Sequence, residues 1–361
     1  MKDTNLRIPG PVPLPQETLD LMSSQMINHR GQEYADMLDQ MTNNLKTVLM
    51  TKSDVYFITA SGTGGMESAI VNTTSPGDKV LSISIGWFGE RFAEISDAYG
   101  CETIKISFEY GDYADPEKIK PILSENPDIK AVLITHNESS TGVRNPLKEI
   151  CEIIKNNSEA LILVDAVSSA AGSIISTDAW GIDVVATASQ KSWIAPPGIS
   201  MVSFSDKAWK AYDKSKCPKY YYDMNQYREY LEIGQPPFTP SLTTMYTLHD
   251  SLHKMVSEGM ETIFDRHSRI AQFTRDLAKN IGLDILPIEA YASDTVTAIK
   301  LPENVDGKIV VKEVEKNYNI VLGGGQQKLA GKIIRIGHMG WINQEDIEAS
   351  IIALKETLDR L

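Results

Sequence analysis

A chain of 361 residues, 42% hydrophobic and 23% charged, has the composition of a globular protein, and its length suits one large domain plus a smaller one. A net charge of −13 with scattered Lys and Arg opposes binding to a nucleic-acid backbone, and no apolar run approaches the ~18 residues that cross a bilayer. Three widely spaced cysteines, Cys101, Cys151 and Cys217, fit neither a disulfide framework nor a zinc knuckle, and the first residues show no targeting pattern, so reduced thiols and a cytoplasmic location are expected.

The Pro-rich start, IPGPVPLP, cannot form a regular helix and reads as an extended arm over residues 1–20, lying across another surface. From about residue 55 to 205, seven apolar runs (VYFITAS, KVLSISI, TIKISF, IKAVLITH, ALILVDAV, IDVVATAS and ISMVSFS) alternate with helical patterns. That rhythm predicts an α/β fold with a mostly parallel seven-stranded sheet, in a large domain spanning 21–260. In such sheets ligands gather beyond the carboxyl ends of the strands, where Ser61, His136, Asp165 and Ser189 fall. A long helical pattern from about Thr243 to Ile281 leads into the strands TVTAIKLP, NIVLGGG and KIIRIGHMG, which predict a smaller C-terminal α+β domain over 261–361.

Along this frame, ITASGTGGMESAI is a strand, a glycine-rich turn and a helix start. The free amides and positive end of a helix bind phosphate, and the hydroxyls of Ser61 and Thr63 around Gly62 add donors. The glycine spacing is not GxGxxG, which weighs against a nicotinamide cofactor. In SIGWFGERF, Trp87 and Phe88 follow a strand and either stack on a planar ring or serve as core aromatics. The loop in ITHNESSTGV packs five hydrogen-bonding side chains, His136 to Ser140, at a strand's carboxyl end.

Asp165 ends the apolar strand ALILVDAV, and a charge there needs a partner: a protonated ring nitrogen, a helix amide or a metal. Lys191 in ATASQKSWIAPPG directly follows a buried strand, one crossover later, so the two side chains can end on neighbouring strands. Burial lowers a lysine pKa, and the neutral amine is the form that makes an imine with an aldehyde; alone, such a lysine is more often a surface residue that snorkels. Arg335 in KIIRIGHMG lies among apolar neighbours, suited to grip a carboxylate or to close an internal ion pair.

The ordered segments GPVPLP, HRG, SGTGGMESAIVN, GWFGERF, THNESSTGV, LILVDAVSSAAG, SQKSWIAPPG, TPSLTTMYTL and RIGHMG together resemble the class V (fold type I) aminotransferases. The likeness is to the alanine:glyoxylate, serine:pyruvate and serine:glyoxylate branch and spans nearly the whole chain. It implies pyridoxal 5'-phosphate (PLP) as cofactor, with Lys191 as its covalent lysine and Asp165 as the partner of its ring nitrogen. By the same resemblance Phe88 stacks on the ring, Val167 packs on the opposite face, Ser61, Gly62, Thr63 and Gln190 hold the phosphate, and Ser139 contacts the cofactor. Arg335 and Gly10 would bind substrate, and Thr239 would reach the phosphate of a neighbouring subunit in a homodimer. A tyrosine frequent three residues before that threonine is Pro236 here, and Tyr220, Tyr221 or Tyr222 could stand in for it.

The expectation is a ping-pong transaminase moving an amino group from alanine or serine to glyoxylate or pyruvate, with aspartate or 2-aminoethylphosphonate as alternative donors. A cysteine desulfurase would need a nucleophilic cysteine late in the chain, and none follows Cys217. A zinc hydrolase would draw on His249 and His253 in LHDSLHKM, but Asp250 replaces the expected glutamate and no metal site is expected. A dimeric binding protein without catalysis would have no need of Lys191, Asp165 and Arg335 together.

Overall fold

Each of the seven apolar runs forms a strand: the interior ones bury nearly every side chain beneath covering helices and read as hydrophobic stretches, while the edge strand Glu102–Ser107 alternates and leaves side chains exposed. The computed structural model describes residues 4–361. In chain order its strands are β1 (Asn5–Arg7), β2 (Asp54–Thr59), β3 (Lys79–Ser84), β4 (Glu102–Ser107), β5 (Ala131–Thr135), β6 (Asn137–Glu138), β7 (Val143–Arg144), β8 (Leu161–Asp165), β9 (Val184–Ala188), β10 (Ile199–Phe204), β11 (Val296–Lys300), β12 (Ile320–Gly324) and β13 (Ile333–Gly337). The larger sheet runs β2-β10-β9-β8-β5-β3-β4. All its pairs are parallel except those of β10, which is antiparallel to both β2 and β9.

The helix Gly62–Thr73 packs against β9 and β10, and the helix Trp87–Ala98 against β3 and β5. Close approach is built into the first: a Cβ on Gly62 would lie 2.5 Å from Val167 Cγ2, and one on Gly64 would lie 2.7 Å from Ala60 Cβ. On the other face, Tyr34, Met41 and Leu45 of the helix Gln32–Val48 join Met245, Leu248 and Leu252 of the helix Leu242–Glu258 in one apolar cluster with β5 and β8.

The long helical pattern divides into Leu242–Glu258 and Met260–Asn280. Gly259 sits between them at φ +90°, a conformation that glycine adopts without penalty, while the apolar periodicity continues on either side and conceals the break. The smaller sheet runs β1-β12-β13-β11, with its own core of Ile270, Ile299, Val310, Leu322, Ile334 and Leu354 among others. The Pro-rich start thus supplies a strand as well as an extended stretch: Asn5 pairs with Ile320, and farther along Val12 N–H donates to Gln190 O at 3.1 Å. The arm therefore ties the small sheet to the segment just beyond β9. Among the described residues no helix is long and apolar enough to cross a membrane.

Candidate active site

Because β8 and β9 are parallel neighbours, the segments leaving their carboxyl ends emerge side by side, and so Asp165 and Lys191 meet at one cavity. This cavity, of about 200 Å³, is lined by Ser61, Gly62, Thr63, Met66, Phe88, Arg91, Asn137, Ser139, Asp165, Val167, Ser168, Gln190 and Lys191. It lies where open parallel sheets hold ligands, beyond the strand ends.

Asp165 is buried, its Oδ1 accepts from Val167 N–H at 2.9 Å, and the Thr135 hydroxyl donates to Oδ2 at 3.4 Å. Burial pushes this carboxyl up to about 7, the Glu138 charge adds to the shift, and the Val167 amide and Lys191 oppose it. Burial likewise brings the Lys191 ammonium down to about 8, with Arg335 adding to that shift and Asp165 opposing it. A substantial share of this amine is therefore neutral just above neutral pH, as an imine-forming lysine requires. Lys191 Nζ donates to Pro9 O, and a Cβ on Gly10, at φ +97°, would lie 2.8 Å from that nitrogen. The arm thus runs directly over the amine, and only glycine at position 10 leaves it room.

At the other end of the cavity, Ser61 caps the helix Gly62–Thr73 with no side-chain hydrogen bond, and the first helical amides have no intrahelical acceptor. Phe88 lines the cavity whereas Trp87 does not; the Arg91 guanidinium lies 4.9 Å from the Phe88 ring centre. Arg335 stands at the edge rather than in the lining. Its Nε donates to Gly324 O at 2.8 Å, and its Nη1 to Ser139 O at 2.9 Å and to Gln326 Oε1 at 3.2 Å. Burial lowers this guanidinium to about 10, which leaves it charged.

Of the residues expected from sequence, Ser61, Gly62, Thr63, Phe88, Ser139, Asp165, Val167, Gln190 and Lys191 converge on the cavity, and Arg335 and Gly10 adjoin it. Thr239 is exposed just before the helix Leu242–Glu258 and lies outside the lining. Pro236 is buried beside Tyr34 and Tyr227, Tyr221 stacks on Phe238 at 4.7 Å between ring centres, and Tyr220 is 74% exposed. His136 turns away into the protein, where burial lowers it to about 3, and Ser189 donates to Pro196 O at 2.6 Å. His249 bonds to Gln40 at 2.9 Å, and the described residues hold no group of three or more His, Cys, Asp or Glu arranged for a metal. Sequence reading passed over Met66, Arg91 and Ser168; Arg91 follows Phe88 by three residues and Ser168 follows Asp165 by three, which is the only local signal for them.

These groups fit PLP. A lysine with a depressed pKa, a buried carboxylate opposite it and a glycine-rich helix start suit an aldehyde, a ring nitrogen and a phosphate respectively. Gln190 and Asn137, both in the lining, each present a buried side-chain oxygen with no partner among the described residues, so the walls retain unused hydrogen-bonding capacity.

The family model for aminotransferase class-V matches residues 16–349. An uncharacterized aminotransferase of Methanocaldococcus jannaschii is 43% identical over 97% of this chain and 92% of its own. A protein named soluble hydrogenase 42 kDa subunit, from Anabaena cylindrica, is 41% identical over 98% of this chain and 92% of its own. Serine–glyoxylate aminotransferase of Arabidopsis thaliana is 34% identical over 94% and 86%. The crystal structure of alanine–glyoxylate aminotransferase from Nostoc sp. superposes with a TM-score of 0.95 at 29% identity, covering 99% of this chain and 96% of that one. With its lysine, its carboxylate and its phosphate-type helix start in one cavity, and with this likeness along nearly its full length, the chain belongs to the class V aminotransferases and is a PLP-dependent aminotransferase.

Proposed function

We propose that the enzyme transfers the amino group of a small amino acid, alanine or serine, to glyoxylate or pyruvate, with Lys191 and Asp165 as its catalytic residues. The observation that carries this reading is the meeting of a lysine lowered to about 8 and a buried carboxylate at one small cavity, under a backbone arm. When bound, PLP supplies an aldehyde that condenses with primary amines and a ring that accepts the electron pair left at the substrate Cα.

The protein's part is to hold groups and move protons. Lys191 Nζ would hold the cofactor covalently and, when free as a neutral amine, would take up and give back the proton of the substrate Cα. Asp165, raised by burial to about 7, would as a carboxylate hold a proton on the ring nitrogen, and a cation there would favour its ionised form. Phe88 and Val167 would confine the ring, and Ser61, Gly62, Thr63 and Gln190 would hold the phosphate at the start of the helix Gly62–Thr73. Arg335 grips the α-carboxylate, with its Nη2 free of hydrogen bonds to the described residues, and Gly10 leaves the arm close above.

The relatives named above support glyoxylate as acceptor and serine or alanine as donor. A second donor class, aspartate, is favoured by Arg91: its guanidinium lines the cavity and joins no ion pair among the described residues, which suits a second carboxylate. We further read the active unit as a homodimer in which the exposed Thr239, with one of Tyr220, Tyr221 and Tyr222, reaches the neighbouring subunit's phosphate. A cytoplasmic location is in keeping with the acidic composition and the three free cysteines.

Steady-state assays of alanine, serine and aspartate against glyoxylate, pyruvate and 2-oxoglutarate test the substrate reading; the expected result is the highest kcat/KM for alanine or serine with glyoxylate. Lys191→Ala should lose the violet-edge absorbance of the loaded enzyme and at least about a thousandfold in turnover. A yellow, active Lys191→Ala protein overturns the proposal.

A further inference from the structure

Glu138 has no part in the chemistry above, yet its carboxylate is fully buried beside the cavity and carries four hydrogen bonds. Oε2 accepts from the amides of Phe88 at 2.9 Å and Gly89 at 3.1 Å, and Oε1 accepts from the Ser140 amide at 3.0 Å and the Ser140 hydroxyl at 2.6 Å. The Trp87 amide donates to the same Ser140 hydroxyl at 3.0 Å. The first three amides of the helix Trp87–Ala98 therefore all end on the Glu138–Ser140 unit, with negative charge at the helix terminus that favours it. Gly86 is fitted to this arrangement, since a Cβ there would lie 2.6 Å from both Glu138 Cδ and Ser140 Oγ.

The residue between these two, Ser139, is a cavity wall and its carbonyl accepts from Arg335. The Glu138 charge favours the charged form of Arg335, without an ion pair between them among the described residues. Glu138 thus ties the ring-stacking residue to the loop whose Ser139 carbonyl holds the guanidinium at the substrate end.

We infer that Glu138 is a positioning residue whose ionised carboxylate sets Phe88 against the cofactor ring and holds Ser139 in place for Arg335. This rests on the reading of the cavity as the PLP site. Glu138→Gln preserves shape but replaces one acceptor oxygen with an amide nitrogen. With its nitrogen toward the helix, the amide leaves the Phe88 and Gly89 N–H groups without their acceptor; turned the other way, it leaves the Ser140 N–H without one while the Ser140 hydroxyl rotates to accept, so the start of the helix Trp87–Ala98 or the Ser139 loop shifts.

The test is titration of the apoprotein with PLP, read by absorbance and by the visible circular dichroism of the bound cofactor, which reports ring orientation independently of turnover. For Glu138→Gln the expected result is PLP affinity weaker by roughly tenfold, in line with losing hydrogen bonds to a charged group, and an altered dichroic band. Ser140→Ala keeps the Glu138 carboxylate and removes both the 2.6 Å bond to it and the acceptor of the Trp87 amide; it should weaken affinity about threefold with a band change of the same sign, and it serves as the test should Glu138→Gln fail to fold. Wild-type affinity and an unchanged band in whichever variant folds overturn the role of Glu138. Failure of the wild-type apoprotein to take up PLP overturns instead the reading of the cavity itself.

Discussion

The two sheets hold their charged residues in opposite ways. Beyond the carboxyl ends of the large sheet, Asp165 is buried and Lys191 half-buried, each with few partners among the described residues: the carboxylate has one short backbone hydrogen bond, and the amine donates to Pro9 O. In the small sheet Arg335 sits within a strand with both Nε and Nη1 engaged by Gly324, Ser139 and Gln326. Burial shifts all three groups, but it brings Asp165 to about 7 and Lys191 to about 8, where they can exchange protons near neutrality, whereas Arg335 at about 10 stays charged and, held by its hydrogen bonds, is suited to orient what docks on it.

That contrast predicts a division of kinetic effects. Asp165→Asn should lower kcat by roughly a hundredfold or more with a modest change in KM, because the lost charge acts on the reacting ring. Arg335→Leu should act mainly through KM of the amino acid and of the oxo acid, costing about 2–4 kcal/mol in kcat/KM, since the buried clamp loses its charge-assisted hydrogen bonds to the carboxylate. If both substitutions moved kcat alike and left KM unchanged, the contrast between the sheets would be mistaken.

Two smaller effects refine it. The neutral form of Lys191 prevails above its pKa, so the rate at which apoprotein takes up PLP should rise through a midpoint near pH 8 and level off above it. In Asp165→Asn, where the carboxylate that favours the ammonium is gone, the midpoint should move lower; stopped-flow absorbance measures both. Gly62→Ala places a methyl 2.5 Å from Val167 Cγ2 and should cost about 1–3 kcal/mol in stability by overpacking, read as a lowered Tm and weaker PLP retention.

The large sheet was legible because its strands are written locally: most are short, largely apolar and β-branched runs, and Asp165 and Lys191 stand out as charges at or just beyond the ends of two of them. The direction of β10 was not legible, since a buried run has the same pattern whichever way it points. Nor was β1, whose partner β12 lies more than three hundred residues away and whose three residues carry no periodicity. Within the loop His136–Ser140 all five side chains bond hydrogen, so composition marked the loop but not its division of labour. His136 turns inward, Asn137 and Ser139 face the cavity, and Glu138 reaches back to a helix start 50 residues earlier. Gly259 was hidden because a glycine between two amphipathic helices interrupts the axis without interrupting the pattern.

The covalent lysine is tested most directly by loading the enzyme with PLP, reducing it with borohydride to convert the imine into a stable secondary amine, and locating the adduct by peptide mass spectrometry. The account predicts one phosphopyridoxyl group per chain, on Lys191. An adduct on another lysine, or a chain that carries none after full loading, would contradict it.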